Sequence, residues 1–137
     1  MKDPLRSLPG YALRRASNAM LQDFGQRLAP LNLKPTEASI ILLIKENPNI
    51  TQSDIGRMLD IQRANMTPIT ARLEERGIVL RERVDGRSQA LRLSPAGIAL
   101  AVKVGSAVNA HEDQLLARVK PALRDSFLSA LSDLWER

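Results

Sequence analysis

Arginine is the residue type with the most chemistry to offer in this chain. Fifteen of the twenty basic residues are arginine, set against fifteen acidic ones, for a net charge of +5 and a pI near 10.2. A guanidinium fork matches two phosphate oxygens or the edge of guanine, whereas lysine brings a point charge. The charge is also zoned. Residues 1–34 carry six bases and two acids, residues 57–92 eight arginines and five acids, and the remainder six bases and eight acids. Such zoning fits a polyanionic partner; charge alone fits a basic, solvated surface equally well, so position must decide.

Other chemistries are thinly provided. There is no cysteine, which removes disulfides, thiolate metal ligands and thiol nucleophiles, and the single histidine, His111, cannot build a multi-histidine metal site. No paired-histidine motif, nucleophile elbow or phosphate-cradling glycine loop occurs, and the carboxylates read as scattered along solvated helix faces. The expectation is a protein that is not an enzyme and needs no metal or cofactor. At 137 residues, 44% hydrophobic and 26% charged, the chain is one globular domain. It has no apolar run of membrane-spanning length, and its start, MKDPLRSLPG, lacks the hydrophobic stretch of a secretory signal. A cytoplasmic location is expected.

The elements that must position the arginines are legible from periodicity and punctuation. Leu13, Ala16, Met20, Phe24 and Leu28 recur at helical steps, predicting a helix over 8–28 between Pro9 and Pro30. A second helix is expected from Pro35 to Asn47-Pro48, although the run Ile40 to Ile44 is β-branched enough to be a strand by propensity. Thr51 stands three residues before Asp54, a capping-box start for a short third helix ending near Leu59. Met66, Ile69, Thr70 and Leu73 then predict a fourth over 63–76, stopped at Gly77. Residues 78–83 and 89–93 read as strands, with Arg81 and Arg83 on one face and Asp85-Gly86 as the turn. Ser94-Pro95 opens a long helix to about 118, and Pro121 a last one.

Two short helices joined by a tight turn and followed by a hairpin make a winged helix-turn-helix, whose second helix can lie in a DNA major groove. Its exposed residues would be Gln62, Arg63, Asn65, Thr67 and Arg72; Arg63 could fork onto guanine, and Asn65 or Gln62 onto adenine. Thr51, Gln52 and Ser53, at a helix N-terminus, suit a phosphate. The hairpin tip carries Asp85, Gly86, Arg87 and Ser88. Arg87 and Ser88 are candidate DNA contacts, with Arg87 reaching along or into the minor groove, where narrow A·T tracts concentrate negative potential. Met66, Ile69 and Leu73 share a face and belong to the core. The apolar faces of the terminal helices exceed what one winged unit can cover. Burial against a second copy, or packing of the terminal helices on one another, would account for them.

The segments LPGYALRRA, TQSDIGRMLDIQRANMTPITARLEERGIV and VDGRSQALRLSPAG resemble, in order, the MarR family of bacterial transcription regulators, and the likeness covers nearly the whole chain. The wing, Asp-Gly-Arg-Ser followed by Leu-Arg-Leu-Ser and Ala-Gly, is its most specific part. The resemblance implies a mainly α fold with a small β component. Residues 35–94 would form the winged helix-turn-helix, and residues 1–34 and 95–137 the intertwined dimerisation helices of a single domain. It implies a homodimer on a pseudo-palindromic DNA duplex, Asp85 orienting the wing arginine through a salt bridge, and release by a small aromatic or phenolic acid bound between the dimer helices and the lobe. Tyr11, Arg14, Arg15 and His111 are the candidates for gripping that acid; ordinary solvated charges and a surface histidine are the competing reading.

Two residues depart from the family pattern. Pro68 stands where many relatives have a base-contacting arginine and removes one helical hydrogen bond, so either the helix kinks or Asn65 caps it with Pro68 in the first turn. The Thr67-Pro68 pair is similar to that of the organic-peroxide-sensing branch, but that branch senses through a cysteine, which this chain lacks. Lys34 replaces the usual threonine cap of the second helix. The alternative function is a helical dimerisation module for a protein partner, its arginines serving solubility.

Overall fold

The computed structural model describes residues 1–83 and 89–136. The wing tip, with Asp85, Arg87 and Ser88, lies outside the described residues. Among the described residues, six α-helices and a two-stranded antiparallel sheet follow one another as α1 (Pro9–Leu28), α2 (Pro35–Glu46), α3 (Gln52–Leu59), α4 (Arg63–Glu75), β1 (Val79–Arg83), β2 (Gln89–Leu93), α5 (Pro95–Ala117) and α6 (Arg124–Trp135). The apolar run at Ile40 to Ile44 is helical. Its Ile40, Ile41 and Ile44, with Ala38, are all buried, so burial on a helix face overrides β propensity there.

Local signals set most boundaries. Prolines occupy the first turns of α1, α2 and α5, where a missing N–H costs nothing. At α3, Thr51 Oγ1 accepts the Asp54 N–H (3.1 Å) while Asp54 Oδ2 accepts the Thr51 N–H (3.0 Å). The Lys34 side chain cannot accept a capping bond, and half of the box suffices: Glu37 Oε1 accepts the Lys34 N–H at 2.9 Å. Gly77 takes φ 71°, the left-handed turn that releases the chain into β1. Pro121 opens a 3₁₀ turn, Pro121–Leu123, and the last α-helix starts only at Arg124.

Helix α4 begins at Arg63 with Gln62 as its cap, so Asn65 is not the cap, and Pro68 is the sixth residue of a continuous helix. Its missing N–H leaves the carbonyl of residue 64 without an intrahelical partner.

The core sits where α2, α3, α4 and the hairpin meet α1 and α5, filled by Leu28, Ile40, Ile41, Ile55, Met66, Leu73, Leu91 and Val104. Strand register pairs Val79 with Leu93 and Arg83 with Gln89. Leu91 N–H donates to Ile50 O at 2.8 Å, tying the start of α3 to the hairpin. The hairpin base meets α5 so closely that a Cβ on Gly97 would lie 2.2 Å from Ile78 O. Ser94 completes that junction: its Oγ accepts the Gly97 N–H (3.0 Å) and its own N–H donates to Ile78 O (3.0 Å).

The terminal helices differ. Helix α6 buries no residue, and Leu128, Leu134 and Trp135 are 72%, 67% and 70% exposed. Packing of the terminal helices on one another within one chain therefore does not cover them.

Candidate nucleic-acid interface

Helix α4 divides along its length. Met66, Thr70 and Leu73 face the core with the half-buried Ile69, while Gln62, Arg63, Asn65 and Thr67 are exposed along the opposite side of its N-terminal half. This N-terminal half and the start of α3 open onto a cleft of about 780 Å³ walled on its far side by Arg81, Arg83 and Gln89 of the hairpin. Thr51, Gln52, Ser53, Gln62 and Arg63 all line it. Residues from two helices and a wing, distant in sequence, are thus brought to one concave polar surface.

The floor of the cleft is held by hydrogen bonds. Hydrogen bonds from the Thr51 side chain and then its backbone N–H, with Arg57 adding its charge, hold the Asp54 carboxyl below its ordinary pKa of 3.8. Gln52 bridges the helices: its Nε2 donates to Thr67 Oγ1 (3.3 Å) and its Oε1 accepts from Thr70 Oγ1 (2.9 Å). Thr67 in turn donates its hydroxyl to Arg63 O at 3.2 Å.

Several residues of the basic zone are committed to the protein instead of to the cleft. Arg72 Nη1 donates to both carboxylate oxygens of Glu37 (2.9 and 3.0 Å), and Glu37 is 3% exposed. Arg72 is therefore a strut between α4 and α2, with its side chain 38% exposed. Glu37 corrects the reading of the carboxylates as uniformly solvated. Arg76 caps the carbonyls of Asn32 (2.6 Å) and Leu31 (3.1 Å), and Arg92 pairs with Glu82 at 2.6 Å. Arg81 reaches Glu74, Gln52, Thr70 and Gln89. Sequence reasoning missed the buried role of Glu37. The available signal was an acid at the third helical position directly ahead of an apolar run.

The four candidates for gripping a small acid do not converge within one chain. Arg15 Nη1 donates to Tyr11 Oη at 2.9 Å, and the Arg14 and Arg15 guanidinium carbons stand 5.5 and 5.8 Å from the Tyr11 ring centre. His111 is elsewhere and is not a surface residue: it is 3% exposed, stacks on Phe24 at 4.8 Å and shares a 2.6 Å hydrogen bond between Nδ1 and Asp23 Oδ2. Tyr11 and Asp23 are twelve residues apart on α1, about 18 Å of helix. His111 Nε2 is buried without a hydrogen-bond partner among the described residues. The contact with His111 first, then Arg27, holds the Asp23 carboxyl below its ordinary pKa of 3.8.

Fold and cleft define a winged helix-turn-helix protein. The family model described as the MarR family matches residues 33–88. The chain is also similar, at 36% identity and TM-score 0.90 over 98% of its length and 97% of the other, to the transcriptional repressor CouR solved on a 23-mer DNA duplex. The same repressor bound to p-coumaroyl-CoA matches at 33% identity and TM-score 0.87, over 100% of this chain and 99% of the other. The HTH-type transcriptional regulator FarR of Neisseria gonorrhoeae is 29% identical over 127 residues, covering 89% of this chain and 87% of the relative. The chain belongs to the MarR family of transcriptional regulators. No helix among the described residues is long and apolar enough to cross a membrane.

Proposed function

We propose that this protein is a dimeric, sequence-specific repressor that binds a pseudo-palindromic operator in the cytoplasm and is released by a phenolic acid or its coenzyme A thioester. The observation that carries this reading is the end-to-end likeness, at 36% identity, to a repressor seen on duplex DNA, together with the polar cleft that α4 shares with α3 and the hairpin. Gln62, Arg63, Asn65 and Thr67 read base edges from α4. Arg63 takes a guanine, and Asn65 or Gln62 an adenine. Thr51, Gln52 and Ser53 seat a phosphate, while Arg87 and Ser88 engage the adjacent minor groove with Asp85 orienting the arginine.

The exposed apolar side chains of α6 support a second copy as their cover, residues 1–34 and 95–137 forming the dimerisation region around the lobes at 35–94. Two-fold symmetry then sets half-sites about one helical turn apart. The effector class rests on the relative bound to p-coumaroyl-CoA. Tyr11, Arg14 and Arg15 contribute to holding it, while His111, buried against Phe24 and Asp23, does not reach them within one chain. The effector must favour the DNA-incompetent spacing of the lobes, since a ligand indifferent to the two states would shift nothing.

The test is to select bound sequences from random duplex DNA, with and without p-coumaroyl-CoA or p-coumaric acid. Enrichment of an inverted repeat that either compound abolishes is the expected result. Arg63→Ala and Arg87→Ala should each weaken binding to that repeat, and affinity should fall steeply with salt. Absence of enrichment, with no retention on heparin, would favour the protein-binding module instead.

A further inference from the structure

Arg81 lies on β1, between the helix pair and the wing tip, and its charge is already answered inside the protein. Its Nε donates to Glu74 Oε1 (2.5 Å), one Nη to Gln89 Oε1 (3.2 Å), and the other to Gln52 Oε1 (2.8 Å) and Thr70 Oγ1 (3.1 Å). Its side chain is only 27% exposed. Four of the five N–H donors of the guanidinium point at protein acceptors on α3, α4 and β2. A phosphate could recruit this arginine only by displacing them.

Chemistry at Gln52 follows from that. Arginine has no acceptor, so the amide atom facing it must be the oxygen, and the Gln52 amide is denied its flipped orientation. Its nitrogen is thereby turned towards Thr67 on α4, 3.3 Å away. One of the two N–H bonds on Nε2 goes to Thr67, and the other is left for an acceptor in the cleft. A flip would put a carbonyl oxygen there and repel phosphate and the acceptor-rich guanine edge alike.

Resting on the reading of the cleft as the operator-binding surface, we propose that Arg81 is a positioning residue for sequence recognition. It locks the Gln52 amide donor-outward against Thr67 and clamps the wing base to the recognition helix, while making no DNA contact itself.

The experiment compares wild type, Arg81→Met, Arg81→Lys, Gln52→Ala and the combined variants on the duplex that wild type selects and on an unselected duplex, across a salt series. Arg81→Met should weaken the selected duplex about tenfold, within the range one well-placed base contact supplies. Binding to the unselected duplex should fall less than binding to the selected one, and the salt slope should not change, because no charged group leaves a phosphate. In the Gln52→Ala background Arg81→Met should add little, because the group it positions is gone.

A salt slope reduced by about 0.9, with both duplexes weakened alike, would make Arg81 a phosphate contact and overturn the proposal. Additive losses in the combined variant would overturn it too. Thermal melting reports folding separately. Should Arg81→Met fail to fold, the Arg81→Lys cycle carries the test, since an ammonium lacks the fork needed to hold Glu74 and Gln52 together and should lose selectivity while remaining folded. Unimpaired selectivity in the folded lysine variant would overturn the proposal. A wild type that enriches no sequence would instead remove the functional reading beneath it.

Discussion

The winged lobe and the terminal helices use the same residue types to different ends. In the lobe, Ile40, Ile41, Ile55, Leu73 and Leu91 are sealed in a common core, and arginines such as Arg72 and Arg76 are tied to other elements, Arg72 to Glu37 and Arg76 to the turn after α1. In α6 Leu128, Leu134 and Trp135 are exposed, Phe127 and Leu131 are half-buried, and no residue is buried. The lobe thus finds its burial and pairing within the chain, with help from α1 and α5, while the apolar side chains of α6 find no such cover. On the proposed dimeric reading, a DNA-reading unit on an arm completed by a second copy could be moved as a body.

Core truncation separates the regions most sharply. Leu73→Ala, removing a fully buried side chain, should lower unfolding stability by about 2–5 kcal/mol. Leu128→Ala on α6 should instead promote dissociation of the dimer in sedimentation while far-UV circular dichroism stays unchanged. Equal losses of core stability from both would erase the contrast.

Cutting a strut should come next. Arg72→Met leaves the Glu37 carboxylate buried with, among the described residues, only the Lys34 N–H to answer it, and should cost about 2 kcal/mol, less than a fully buried pair because Arg72 is partly solvated. Glu37→Gln added to it should recover stability in urea titration; a neutral double change would show that the pair contributes nothing.

Thr51→Ala removes the side-chain cap of α3 and should cost about 1 kcal/mol. Operator affinity should fall with it, because the same residue sits at the mouth of the cleft.

Acid sensitivity is the smallest effect and touches both regions. Asp54 in the lobe and Asp23 in α1 both have carboxyls held below 3.8, so each contributes stability that is fully present above that pH and is lost as pH falls through the lowered folded-state value. Asp54→Asn and Asp23→Asn should each be less stable than wild type at neutral pH, and the gap should close in acid melts. A gap that persists at low pH would assign the loss to the amide itself.

Much of the winged lobe and its junctions was legible because the signals are local: Pro35, the Thr51/Asp54 box, Gly77 and Ser94 each act within about four residues. The exposed face of α4 followed from the position of Met66, Ile69 and Leu73. Where the reading left α4 open between a kink and a cap at Asn65, the helix starts at Arg63 with Gln62 as its cap, which removes the second option. The candidates around Tyr11 and His111 were joined by residue type alone. His111 instead follows Asp23 and Phe24 into the α1–α5 contact, a placement no spacing could announce.

Boundaries of helices and strands were set by residues acting on their immediate neighbours, through caps, φ restriction and side-chain periodicity, so the linear chain contains them. Which arginines face the cleft and which hold the lobe together was decided only in three dimensions. Arg72, Arg81 and Arg76 each hold a partner distant in the chain, 35, 29 and 45 residues away. The strength of such pairs depends on how much water the fold excludes around them, a quantity that exists only once the helices have packed.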